Sequence, residues 1–451
     1  MSKVPFTSKQ SFSSQQPETL LSGNKEVRSP KHKYQLKKIS EYSLFKGNQY
    51  TYSTKQHSNI MFNYTPSELN ILSASARART SCGSSLSYDS PGVTFSLSKD
   101  SKIKHSGTKS CKSMLCPVCA PALSAKASSK LSKTLKSGRE NNRTYLMSVL
   151  TIPHEPGESV ATNIKYLQSM STYIFKSKPW RKFRALTNLQ FVHYGYETMV
   201  SFKHDGIDHH PHKNMILDFN MPMAKILKAL GFTDALQLRM HLSTLMTKLA
   251  QQYLDTKTNT FKELLIPYTL PGATDSRPTI IKGGVSVSSD FNDTYASKWG
   301  TEAEMTAGIY KNGKFSKSMH PLALLHLIDQ DNSEVTEQHK LYCVEAYQQS
   351  TIALKGLSLF QLGNNAQFYY EENYNTDYTD EEPEEEEQTI FISATEWLTF
   401  NCTTDKLIHI YGLSTLIEIN NYIFDEIQIQ QQLRQQLMPP SLRVAQTMPN
   451  R

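Results

Sequence analysis

Gly206-Ile207-Asp208-His209-His210-Pro211-His212-Lys213-Asn214-Met215-Ile216-Leu217-Asp218-Phe219 sets histidines at the head of an apolar run that predicts a buried strand. On a strand, residues two apart point to the same face. His210 and His212 therefore stand side by side on a rigid element, and His209 faces the other way. Two neutral imidazoles so placed can ligate a divalent ion. Leu189 to Val200 predicts a long strand upstream, and the polar turn Lys203-His204-Asp205-Gly206 predicts that the two strands form a hairpin. Glu197 on the partner strand would add a hard carboxylate oxygen. Mixed nitrogen and oxygen ligation suits Mg²⁺, Mn²⁺ or Zn²⁺, and an ion open to substrate polarises a phosphate oxygen. Loop histidines without a ligand are the plain alternative.

Outward from the hairpin, Thr144 to Ile152 predicts a strand stopped by Pro153, and Lys165 to Lys178 a helix. Pro222 to Leu230 and Thr233 to Leu254 read as amphipathic helices. Strands are expected around Leu264 to Tyr268 and Thr279 to Val287, with Ser288 or Ser289 capping a helix over Asp290 to Lys298. The order strand, helix, strand, strand, helix, strand predicts an α+β fold with a ferredoxin-like split βαβ antiparallel sheet. Five regions are expected: a disordered basic N-terminal region (1–75), a cysteine module with Ser- and Gly-rich loops and a helix (76–140), the sheet-based core (141–330), a helical and acidic region (331–400) with a strand–helix piece at Ile390 to Phe400, and a partly helical tail (401–451).

The chain has 451 residues and a net charge of +8. Ten acidic residues and no Lys or Arg fall between Glu371 and Glu387, so the remainder holds 49 basic against 31 acidic side chains. A basic body beside a separate acidic stretch points to a polyanionic partner, nucleic acid first. No run approaches the ~18 apolar residues of a membrane span, and the Ser- and Gln-rich start has no apolar leader core. A cytoplasmic protein with no membrane partner is expected. Cys82, Cys111, Cys116 and Cys119 cluster in a chain expected to meet reducing surroundings, which favours a metal over disulfides. Cys116-Pro117-Val118-Cys119 brings two thiolates to one ion, and Cys82 and Cys111 would close a tetrahedral structural Zn²⁺ site. Buried free thiols are the alternative. On the helix expected after Ser289, Tyr295 and Lys298 share a face. A phenol with a pKa of about 10 is a poor nucleophile, but a metal and an ammonium at a phosphate would compensate.

Taken in order, these pieces resemble the rolling-circle plasmid replication initiators of the histidine-hydrophobic-histidine endonuclease superfamily. The likeness runs from Cys82-Gly83 through Cys111 to Cys119, Leu150-Thr151-Ile152-Pro153-His154, Tyr196-Glu197-Thr198, Gly206 to Leu217, Tyr295-Ala296-Ser297-Lys298, Trp299 to Gly308 and Pro321 to Leu325, to Glu396-Trp397. The resemblance implies a site-specific nickase and strand transferase. Tyr295 would attack one strand to give a 5′-phosphotyrosine, and Lys298 would assist. Glu197, His210 and His212, with Asn214, would hold Mg²⁺ or Mn²⁺. It also implies plasmid origin DNA, host polymerase and helicase as partners, and a homodimer as the assembly to look for. Where the family usually has His-Pro-His-x-His, this chain has His210-Pro211-His212-Lys213-Asn214 and offers an amide in the last position. Phe291 stands four residues before Tyr295, where some members carry the glutamate that ends the round, leaving Asp290, Asp293 or Glu304 for that role. A non-catalytic origin-binding protein on the same scaffold and a small transposase are the alternatives.

Overall fold

The computed structural model describes residues 34–44, 64–97, 103–154, 157–203, 206–257, 264, 284–288, 319–329, 337–358, 360–378 and 388–437. In chain order the elements are α1 (34–44), α2 (Pro66–Ser81), β1 (Gly92–Leu97), β2 (Ile103–Ser106), α3 (Cys119–Glu140), β3 (Thr144–Thr151), α4 (Val160–Lys176), α5 (Lys178–Thr187), β4 (Leu189–Lys203), β5 (Gly206–Phe219), α6 (Met223–Leu230), α7 (Ala235–Lys257), β6 (Gly284–Ser288), α8 (Pro321–Asp329), α9 (Glu337–Ala353), α10 (Ala366–Tyr374), β7 (Thr389–Ser393), α11 (Ala394–Phe400), α12 (Thr404–Gly412) and α13 (Leu416–Leu437). The fold is α+β with two antiparallel sheets.

The larger sheet has the order β4-β5-β3-β6, and all its neighbours are antiparallel. Helices α4 and α5 connect β3 to β4, and α6 and α7 lie between β5 and β6. Alternation along the strands sends Leu146, Leu150, Met215, Leu217, Phe219, Val285 and Val287 to one face. There they form one core with Ile164, Leu167 and Met170 of α4, Trp180 and Phe183 of α5, and Leu242 and Met246 of α7. Each such side chain contributes about 1.5–3 kcal/mol by leaving water. The helix expected from Lys165 to Lys178 starts earlier and is followed at once by another. Ser177 is extended, ends α4, and accepts a hydrogen bond from Trp180 N as the N-cap of α5.

On the opposite face, α3 and α10 cover one end. Leu131 and Leu135 of α3 pack on Tyr145 and Ile216. Asp218, fully buried, accepts from Arg143 Nε at 2.8 Å and from Tyr370 Oη of α10 at 2.9 Å. His193 Nδ1 accepts from Gly363 N, so Nε2 carries the proton and donates to Asp218 at 3.2 Å. Burial, then the Asp218 charge, holds the Tyr370 phenol well above its ordinary range, so it stays a neutral donor. Tyr145 Oη meets Tyr370 Oη at 2.6 Å. A Cβ at Gly138 of α3 would collide with the Tyr145 hydroxyl, so glycine is what lets the helix come this close.

The smaller sheet, β2-β1-β7, joins distant parts of the chain. Its core unites Val93 and Phe95 of β1 with Ile392 of β7, Trp397 and Phe400 of α11, Leu407 and Ile410 of α12, and Leu416, Ile419 and Ile423 of α13. The region expected as a tail from 401 is thus packed as far as Ile423, because those apolar residues recur at helical spacing. The N-terminal arm also departs from expectation. Residues 34–44 form α1, which seats Tyr34 in this core and buries Lys37 completely. Gln348 of α9 donates to Ser43 O, and Ser40 Oγ lies 2.7 Å from Tyr347 Oη, which ties α1 to the rest.

Asp218→Asn keeps the side-chain shape but strands the Arg143 charge in the interior. It should cost about 3–5 kcal/mol, against about 1 kcal/mol for Tyr370→Phe, read from urea unfolding midpoints.

Candidate metal and nucleic-acid site

The half of the sheet beyond α3 and α10 carries the polar residues. On β5, Asp208, His210, His212 and Asn214 share one face, alternating with His209, Pro211 and Lys213. β4 sets Glu197 directly opposite His212, and β3 sets Thr151 opposite it on the other side. Thr151 Oγ1 lies 2.9 Å from His212 Nδ1, which leaves Nε2 as the ring nitrogen for a ligand. Burial pushes the His212 imidazole down to about 4, with His154 adding to the shift, so it is neutral at pH 7. Asn214 Nδ2 donates to Glu197 Oε2 at 3.1 Å. The amide is therefore in reach of the carboxylate expected as its co-ligand.

His210 stands one pair further along. Its Nε2 is 3.2 Å from Asp208 Oδ2 and 3.0 Å from Ser201 Oγ. His154 joins from beyond the end of β3, with Nε2 2.8 Å from Asp208 Oδ1. The ligand atoms of His154, Asp208 and His210 lie within 4.8 Å of one another and could hold a metal ion. Two prolines make room for this. The β3–β5 ladder ends at Thr151↔His212. Neither Pro211 nor Pro153 has an N–H with which to extend it.

His209 and Lys213 point to the helical face. Lys213 Nζ is buried against Tyr194, Tyr196 and Phe175, and donates to Ser171 Oγ at 2.6 Å. Burial lowers the Lys213 ammonium to about 7 and His209 to about 4.

Of the expected residues, Glu197, His210, His212 and Asn214 are brought onto one face. Tyr295, Lys298 and Glu304 lie outside the described residues, as do the helix expected from Asp290 and, apart from Leu264, the strand expected around Leu264 to Tyr268. Their segment leaves from Ser288 on edge strand β6 and returns at Met319, which exchanges backbone hydrogen bonds with Val200 of the other edge strand, β4. Three residues near the site went unforeseen. His320 follows that bridge. Burial lowers its imidazole and the Glu197 charge opposes the shift. Asp208 lies on the face of His210 by the same alternation but was passed over, and His154 needed the fold, since it lies past the end of the β3–β5 ladder.

Cys82, Cys111, Cys116 and Cys119 also converge, all reduced and with sulfurs within 4.8 Å of one another. Cys111 and Cys119 are 3.7 Å apart, Cys82 and Cys116 3.8 Å, and Cys82 and Cys119 3.2 Å. Four thiolates about 2.3 Å from a tetrahedral ion stand about 3.8 Å apart, so the cluster could close around a metal. Two buried cations flank it. Lys37 donates to Cys82 O, and Arg79 donates to Ser113 Oγ at 3.0 Å and to Ser40 and Tyr347. They offset the net negative charge that four thiolates leave around a divalent ion.

No protein-family model matches this chain, and comparison with curated proteins and with solved structures gives no match either. Among the described residues, no helix is long and apolar enough to cross a membrane.

Cys116→Ala opens the four-sulfur cluster. The purified variant should lose close to one equivalent of metal by elemental analysis and melt several degrees lower than the parent chain.

Proposed function

We propose that this chain nicks and rejoins one DNA strand at a plasmid origin, as a rolling-circle replication initiator does. One observation carries the reading: Glu197, His210, His212 and Asn214 share the half of a sheet face that α3 and α10 do not cover. The strand order β4-β5-β3-β6, with helices in both crossovers, is the order a ferredoxin-like split βαβ core would have. Tyr295 is seven residues past Ser288, a reach of roughly 24 Å at most, and its segment is anchored at both sheet edges. That length would let the phenol reach the face. The excess of basic residues outside the acidic stretch suits a DNA partner.

In this reading Tyr295 Oη bonds to phosphorus as the P–O3′ bond breaks. The phenol gives up its proton, and the departing oxygen takes one up to become the 3′-hydroxyl that primes a host polymerase. Lys298 offsets the charge building on the phosphate, and Glu304 would activate the water that ends the round. A divalent cation on the histidine face, Mg²⁺ or Mn²⁺, would supply Lewis-acid polarisation of the phosphate. The four cysteines would hold a structural Zn²⁺ with no open position. A cytoplasmic setting, a helicase partner and a homodimer belong to the same reading.

The Asn214–Glu197 hydrogen bond favours one rival, a non-catalytic origin-binding protein, because the two groups can satisfy each other without an ion. Incubation with single-stranded origin DNA and Mn²⁺ separates them. The parent chain should give a nick and a covalent adduct, and Tyr295→Phe neither. Specific duplex binding without any nick would favour the rival, and equal cleavage by both proteins would remove Tyr295 as nucleophile.

A further inference from the structure

We propose that His154, Asp208 and His210 form the divalent-metal centre of this chain, one residue pair along β5 from the His212–Asn214 position. The use of the ion in strand cleavage rests on the function proposed above, whereas its binding stands on the geometry alone. His154 Nδ1 lies 3.0 Å from Ile152 O, and a carbonyl only accepts, so Nδ1 carries the ring proton. Nε2 is then the ring nitrogen left for a ligand, and it faces Asp208 Oδ1 at 2.8 Å. A contact that short needs a proton or a metal ion between the two atoms, and a metal ion would answer the second imidazole as well. From the other side His210 Nε2 approaches the second oxygen of the same carboxylate at 3.2 Å. The two rings meet edge to face with centroids 4.7 Å apart, which aims both nitrogens at one carboxylate.

The surroundings fit a metal. Asp208 is fully buried and turns one carboxylate oxygen to each imidazole. The Ile152 carbonyl gives His154 the outer hydrogen bond that fixes the tautomer and orientation of ligating histidines. Ser201 Oγ lies 3.0 Å from His210 Nε2, the nitrogen that faces Asp208, and so stands as a further oxygen beside the ion and not as an outer hydrogen bond. Two imidazoles and one carboxylate leave coordination positions for water or a phosphate oxygen, and the set suits Mn²⁺ or Zn²⁺. The His210 side chain is 27% exposed, which leaves the centre accessible on that side. The arrangement also accounts for Asn214: with the ion held by His154 and Asp208, β5 needs no second histidine after His212.

The test is Mn²⁺ binding to the full chain, followed by electron paramagnetic resonance. Mn²⁺ is a poor partner for the thiolate cluster, so the cysteines stay silent. The parent chain should bind one equivalent. His154→Gln and Asp208→Asn should each weaken binding at least tenfold, about what loss of even an outer-sphere partner costs. Far-ultraviolet circular dichroism confirms that each variant is folded, and His154→Gln, just past the end of a strand, serves if Asp208→Asn is not. Absence of Mn²⁺ binding to the parent chain would overturn the proposal. So would full binding by His154→Gln together with loss in His212→Ala or Asn214→Ala, which would put the ion on the neighbouring pair. Mn²⁺ bound as described by a chain that never nicks DNA leaves this centre standing and defeats the replication reading instead.

Discussion

The two-residue period of β5 governs the molecule. Every second side chain from Ile207 to Phe219 must go to the helical core, and every other one to the opposite face. One shift of register would exchange the sets, sending Met215, Leu217 and Phe219 out and Asp208, His210 and His212 into the core. The buried ion pair of Asp218 with Arg143 penalises such a slip at one end of the strand. At the other end, pairing with β4 continues to Gly206 after β3 has stopped. Lys213 is the poorest fit, an ammonium among core residues, held by aromatic faces and Ser171.

The end of the β3–β5 ladder is where stability and chemistry part. A continuous ladder would have paired the backbone of Pro211 and left no room for His154. Past the end of the ladder, Gly157 N donates to Ile207 O, so the two segments stay side by side. Ending the pairing at this point turns one corner of a structural sheet into a group of ligand atoms. The same face carries a packed tyrosine and arginine network a few residues away, so rigid support and open site share one surface.

The strands and helices of the core were legible because their signals are local. The apolar run of Thr144 to Thr151 and the periodic pattern of α3, α6 and α7 report the environment of each segment on its own residues. β1 and β2 were not legible, although Val93, Thr94 and Phe95 are good strand formers. Six residues among Ser- and Gly-rich loops carry too short a pattern to stand out, and the partner strand β7 comes from far along the chain. The candidate site divides the same way. His210, His212 and Glu197 could be placed from alternation and a hairpin, both local. Asp208 follows from the same alternation and was passed over, whereas His154 and His320 are brought in from other segments by the fold, which no single segment encodes. Ser177 was missed for a third reason: one side chain ends one helix and caps the next, and the apolar periodicity runs on through it.

The pairing of β1 with β7 also sets an order of assembly. The four cysteines lie close together in sequence, so they can gather early while the chain is still being made. β1, by contrast, has only the short β2 beside it until Thr389 to Ser393 has been synthesised. Closing so long a loop is slow. The cysteine cluster would then act as a clasp that keeps the open edge of β1 in shape until the far end of the chain arrives to cover it.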